Sequence, residues 1–148
     1  MSAIPKNRWL PEKTWQLMLA SMPIPCVDAI CRNDNGEFLF GWRAISPYKY
    51  SWALPGGRVL RGEDKLVAVK RHLRAYGIKA KRLRQLGTFS YNFDFRCDLS
   101  TAYVVDVESG PTKTGQEFSR FEWKKEIPKN RVSGMYRKMF RALDGRAP

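Results

Sequence analysis

Apolar residues recur along this chain at two different spacings, and the switches between them mark out its elements. Pro11 opens a first helix, with Trp15, Met18, Leu19 and Met22 at helical spacing, and Pro23 ends it. Val27 to Cys31 is an apolar run of strand length. Asn33-Asp34-Asn35-Gly36 then signals a hairpin, and Glu37 to Ala44 returns as the partner strand. Ser46 to Ser51 is an aromatic, polar loop containing Pro47, Tyr48 and Tyr50, and Trp52 to Pro55 leads into a pair of glycines. The helical period returns with Leu66, Val69, Leu73 and Tyr76, the apolar stripe of a central helix closed by Gly77. The basic stretch KAKRLRQ leads into a strict alternation of Phe89, Tyr91, Phe93 and Phe95, the pattern of a half-exposed strand. Thr101 to Val107 and Phe118 to Trp123 are further strands. A last helix from Ser133 to Leu143 carries Met135, Met139 and Leu143 on one face and basic residues on the other. This order (helix, hairpin, helix, several strands, helix) predicts an α/β (α+β) fold, a mixed β-sheet packed between helices.

Composition narrows the class. A chain of 148 residues with 43% hydrophobic and 13% aromatic content has room for one well-filled core, so residues 1–148 are expected to form a single domain. The net charge of +13 repels itself unless anions lie near, which points to phosphates, nucleic acid or an acidic surface as partners. Cys26, Cys31 and Cys97 lack CxxC spacing and His72 is the one histidine, so no zinc set is expected. The apolar run Leu17 to Ile24 is too short, and too broken by Pro23, to span a membrane. With no signal peptide in view, the expected setting is a reducing cytoplasm.

The segment with the most chemical content is Gly56 to Ile78, GGRVLRGEDKLVAVKRHLRAYGI. Adjacent Gly56 and Gly57 let backbone approach a bound phosphate, and the helix after them offers free N–H groups at a positive dipole end. A tight structural turn would use the same two glycines. Spacing adds specificity: Gly57, five residues, Glu63, seven residues and Arg71. With Trp52-x-x-Pro55-Gly-Gly-Arg58-Val59 before it, this resembles the Nudix box, whose second half reads Arg-Glu-apolar-any-Glu-Glu-any-Gly. That half departs here. Arg71 is followed by His72, no acid stands at Ala75 or Tyr76, and the stretch to Gly77 is one residue shorter than the consensus.

Within that superfamily the chain is most similar to the GDP-mannose mannosyl hydrolases, over the N-terminal helix, Gly36 to Arg43, and Trp52 to Val59. The resemblance implies the Nudix fold, a homodimer, a nucleotide-sugar substrate cut at the sugar C1–O bond, and a Mg2+ cofactor. It places Arg43 and Arg58 on the diphosphate, with Gly56 and Gly57 contributing backbone amides. Asp28 matches an acidic position near the substrate, and Tyr103 a tyrosine facing the leaving group. Glu63 and Arg71 match the pair that braces the box helix, Glu63 being also the one box carboxylate left to meet a metal. Read from the residues themselves, Arg43 and Arg58 are equally solvated charges, Tyr103 a core tyrosine, and Asp28 a carboxylate in need of a partner such as Arg43 or a ligand.

The departures bear on mechanism. The family's remaining magnesium-binding glutamate is Ala75 here, and its general-base histidine aligns with Phe118, beside Glu117. Lys70, Arg71 and Arg74 surround His72, which disfavours a divalent cation and favours an anion, so Arg74 joins the expected substrate contacts. Two unit charges about 4 Å apart interact by about 4 kcal/mol at an effective dielectric near 20, so exchanging carboxylates for cations alters metal affinity by orders of magnitude. Two readings remain. In one, guanidinium groups take over diphosphate neutralisation and Glu117 activates water, giving a nucleotide-sugar hydrolase with altered metal dependence. In the other, the domain is catalytically silent and binds nucleotide or RNA through its basic faces.

Overall fold

A computed structural model of the protein describes residues 10–45 and 48–145. In chain order the elements are α1 (Glu12–Ser21), β1 (Ile24–Arg32), β2 (Phe38–Arg43), β3 (Trp52–Ala53), β4 (Gly56–Arg58), α2 (Lys65–Ala75), β5 (Lys79–Asn92), β6 (Cys97–Ser109), β7 (Phe118–Lys124) and α3 (Gly134–Leu143). One mixed sheet runs β3-β2-β1-β6-β5, with β4 also pairing β1 and β7 also pairing β2. Among the strand pairs of the described residues β1–β6 is the parallel one, and an isolated parallel bridge joins Trp52 to Val132. β1 lies at the centre, so both its faces are covered and its sequence is largely apolar, interrupted within the buried stretch by Asp28.

Alternation along the strands divides the core in two. Val27, Ala29 and Cys31 of β1, with Val105 and Val107 of β6, meet Ala68, Val69 and Leu73 of α2. Ile30, Phe40 and Ala102 meet Met135, Met139 and Phe140 of α3 on the opposite face. The sheet therefore sits between helices, as the order of periods predicts. Ser133 caps α3, its Oγ accepting the Met135 N–H at 3.1 Å.

Several boundaries differ from the sequence expectation. Pro11 is the cap of α1 and not its first residue, and α1 buries none of its residues. Leu66 and Val67 stand exposed in the first turn of α2, whose packed face is Ala68, Val69 and Leu73. KAKRLRQ is no mere entry. It is the first half of β5, in register with β6 from Lys79↔Ser109 onward, with Ala80 and Leu83 packed and the cations outside. Phe93 and Phe95 belong to the β5–β6 turn, where Phe93 N–H donates to the Arg96 carbonyl at 2.8 Å. β6 extends beyond Thr101–Val107 at both ends. Pro47, in the expected aromatic loop, lies outside the described residues. Among the described residues, no helix is long and apolar enough to cross a membrane.

Candidate functional site

A cleft of about 1020 Å³ opens on the α3 face of the sheet. Its floor comes from β1 and β4, which lie antiparallel with Cys26 opposite Arg58 and Asp28 opposite Gly56. Asp28 points the same way as Ile30, toward α3, because both fall on even positions of β1. It is 5% exposed and its Oδ2 accepts the Ser100 hydroxyl at 2.5 Å. Burial, with the nearby charges of Asp98 and Glu117, pushes the Asp28 carboxyl up to about 7 against the pull of the Ser100 bond. The Ser100 hydroxyl is thus a partner of Asp28 that the sequence alone does not name.

The glycine pair has a steric explanation. A Cβ at Gly56 would lie 2.3 Å from the Val27 carbonyl oxygen, and one at Gly57 would lie 2.6 Å from His72 Cε1. Glycine at these positions lets β4 settle onto β1 and the His72 ring settle onto β4. Bonds from Ala29 N–H to the Pro55 carbonyl and from Val59 N–H to the Pro25 carbonyl bracket the Val27↔Gly57 pair. By the alternation of an antiparallel ladder, Gly57 N–H is directed into β1 while the Gly56 and Arg58 groups face the other edge. Nor does α2 present its N-terminus here. The cleft wall takes Arg71 and His72 from the middle of that helix and nothing from its first turn.

The box pair is a brace. Arg71 donates Nε to Glu63 Oε2 at 2.8 Å and Nη2 to Oε1 at 3.0 Å, and Nη2 also reaches the Arg58 carbonyl at 2.9 Å. Leu60 N–H donates to Glu63 Oε1 at 3.0 Å. These bonds, the guanidinium's first, hold the Glu63 carboxyl below its ordinary range. His72 Nε2 lies 3.1 Å from the same Arg58 carbonyl, and burial lowers the imidazole's proton affinity.

Across the cleft, Arg43 Nη1 is 3.7 Å from Glu117 Oε2, and the Tyr76 hydroxyl donates to that oxygen at 3.4 Å. Tyr76 thereby carries a phenol from the end of α2 to a carboxylate at the start of β7. Arg58 stacks on Trp15 with its Cζ 4.4 Å from the ring centroid, and Arg96 does so at 5.6 Å while donating Nε to Asp98 at 2.6 Å. At the mouth, Tyr48 packs on Phe93 with centroids 5.0 Å apart.

Asp28, Arg43, Gly56, Gly57, Arg58 and Glu117 are therefore brought together in one cleft. Two others are not. Tyr103 lies in the α2-side core at 4% exposure, since odd positions of β6 face away from the cleft. Arg74 is exposed on α2 outside the cleft wall. The tyrosine that α3 contributes to the cleft lined by Asp28 is Tyr136. Burial, with the negative charge of Asp28, raises this phenol well above its usual range. Tyr136, Trp15, Arg96 and Asp98 escaped the sequence reading. Trp15 was visible only as part of a helical stripe, and Arg96 as a residue after an aromatic alternation.

Magnesium, which the family resemblance implies, finds a poor donor set. Among the described residues no three His, Cys, Asp or Glu side chains group as a metal site would need. Both Glu63 oxygens already accept bonds from Arg71, and Ala75 and Tyr76 supply no carboxylate. The box does not fit a divalent cation.

Comparison with known proteins places this geometry in context. The family profile described as NUDIX domain matches residues 22–129. The low-salt glycan biosynthesis protein Agl8 of Haloferax volcanii is 30% identical over 86 residues, 57% of this chain; the match spans only about half (54%) of that relative's length. A MutT protein from Methanosarcina mazei Go1 superposes with a TM-score of 0.74 at 22% identity, over 84% of this chain and 96% of its own. The NUDIX domain of Shewanella oneidensis NrtR, solved in complex with ADP ribose, gives 0.69 at 17% identity over 92% and 99%. At those identities the structural likeness speaks to fold alone.

Proposed function

Since the chain belongs to the NUDIX domain family, we propose that it hydrolyses a nucleoside diphosphate sugar or a related nucleotide, without a metal at the box. The observation that carries this reading is the convergence in one cleft of Arg43, Arg58 and Glu117 around a buried Asp28. Cations for a diphosphate and a carboxylate for a water thus share one space, and the glycan-biosynthesis name of the Haloferax relative agrees with a sugar-bearing substrate.

In the proposed reaction, water attacks the sugar C1 and gives its proton to Glu117, whose carboxylate Arg43 and Tyr76 hold in place. The C1–O bond breaks, and its electron pair stays on the diphosphate oxygen, neutralised by Arg43 and Arg58. Asp28 binds the sugar from the floor. Its carboxyl, titrating near neutrality, accepts or donates a hydrogen bond to a hydroxyl as pH changes. No step passes through magnesium. Turnover of a nucleotide-sugar panel in heavy-oxygen water tests the scheme. Label in the released sugar is expected; label in a phosphate would move the attack to phosphorus.

The missing box carboxylates favour one second reading, a domain that binds nucleotide without turning it over. A further form of that reading, RNA binding, draws less support. In the run Lys79 to Arg84, three cations are already paired with acids: Lys79 with Glu108, Lys81 with Asp34 and Arg82 with Asp106. Binding of the nucleotide sugar with no product at any divalent-cation concentration would select the silent domain.

A further inference from the structure

α1 fully buries none of its residues, and Leu17 on it and Met22 at its C-terminal cap are 67% and 47% exposed. Yet Trp15 reaches into the cleft wall, where it meets two cations rather than an apolar socket. The Arg58 and Arg96 guanidinium carbons lie 4.4 and 5.6 Å from the same indole centroid, both within the roughly 6 Å over which a ring face attracts a cation. Arg58 comes from β4 and Arg96 from the β5–β6 turn. Cys26 lies near both: it stands opposite Arg58 in the ladder, and Arg96 Nη2 is 3.9 Å from its Sγ.

Two guanidinium groups packed against one ring repel each other. Arg58 feels this: burial first, and then the neighbouring Arg96 charge, makes its protonated form harder to hold. Asp98 engages Arg96 through Nε, and the Nη2 contact is a thiol, a weak acceptor. An anion between the two would relieve the repulsion, and planar donor forks match phosphate oxygens in pairs.

We propose that Arg58 and Arg96, both packed against Trp15, form a two-guanidinium seat for the phosphates of a diphosphate-bearing ligand, so that α1 is part of the binding site. The inference rests on the nucleotide reading for the identity of the ligand, but the seat itself would take any diphosphate. It also adds to the partial apolar burial of Met18 and Leu19 as a reason for α1 to stay docked. Ligand and helix then hold each other, because removing Trp15 loosens the arginine pair, and filling the seat fixes the ring.

The test is calorimetric titration with inorganic pyrophosphate, GDP-mannose and guanosine against the wild type, Arg96→Gln, Arg96→Lys and Trp15→Leu. The lysine variant keeps a cation beside Asp98 and so guards against misfolding. Both Arg96 variants are expected to weaken pyrophosphate by about tenfold or more, the glutamine variant most, through loss of charge-assisted paired contacts. Guanosine, if bound, should be unaffected. Trp15→Leu should weaken pyrophosphate several-fold, and the ligand should no longer protect α1 from protease. Pyrophosphate affinity equal to wild type in both Arg96 variants would overturn the seat, as would an equal loss for guanosine. Wild-type turnover of GDP-mannose with unchanged pyrophosphate affinity in those variants sinks the seat and spares the hydrolase. The expected losses with no turnover of any nucleotide sugar do the reverse.

Discussion

Asp28 is a carboxyl that the fold makes expensive to ionise. Its folded pKa of about 7 exceeds the ordinary 3.8, so between those values the native state holds a proton that the unfolded chain has released. Stability from this group is therefore complete below about pH 4 and is lost as pH rises through 7. At about 1.4 kcal/mol per unit, the loss is on the order of a few kcal/mol. Asp28→Asn removes the titration while keeping a partner for Ser100. Denaturation midpoints at pH 5 and 8 should fall with pH in the wild type by clearly more than in the variant; parallel curves would refute the assignment. Glu63 makes the opposite case. Its oxygens are committed to Arg71 and Leu60, so magnesium or manganese should bind the box weakly or not at all. A tight single-site isotherm abolished by Glu63→Gln would restore a metal mechanism. The Glu63–Arg71 pair was legible because a helical brace is a matter of spacing along one segment. Arg96, Asp98 and Tyr136 were not, because their roles exist only once β1, the β5–β6 turn and α3 come together.

At the scale of elements, the apolar periods locate helices and long strands but not their ends: Leu66 stands exposed in α2, and Phe93 and Phe95 fall in a turn. β4 has three residues, and nothing in Gly56-Gly57-Arg58 distinguishes a strand from a phosphate loop until β1 and His72 are placed against it. That placement separates two glycines that composition treats alike. Gly56→Ala forces a methyl against the Val27 carbonyl and must push β4 off the cleft floor, costing roughly 2–4 kcal/mol and most of the ligand affinity. Gly36→Ala has open space around its Cβ and meets only its positive φ of 75°, a cost of about 1–2 kcal/mol, and should leave binding unchanged. Urea midpoints of the two variants, with one ligand titration each, decide whether the glycine pair is steric. Near-equal costs, or full binding by Gly56→Ala, would contradict it.

For the whole molecule the question is where the charge of +13 lies. Lys79, Lys81 and Arg82 stand on the outer part of β5, outside the cleft wall, and each meets an acid. Reversing all three to glutamate should leave nucleotide-sugar turnover within about twofold, beyond a Debye length of about 10 Å at ordinary salt. A collapse of turnover, or the loss of a salt-sensitive RNA affinity, would shift function to this face. These charges have another consequence. β5 is 14 residues long and, among the described residues, pairs with no strand but β6, so much of its second edge is open to an extended chain, although Lys138 Nζ donates to the Ser90 carbonyl at 3.3 Å. A long open strand edge invites strand addition by a second copy and stacking into fibrils. Cationic side chains along it make each newcomer bring like charge and lysine bulk to the place where it must pair. On this view the basic run is a guard on an exposed template. Lys81→Thr with Arg84→Val should then give a protein that forms thioflavin-positive aggregates at concentrations where the wild type forms none, with its native fold and cleft chemistry otherwise intact.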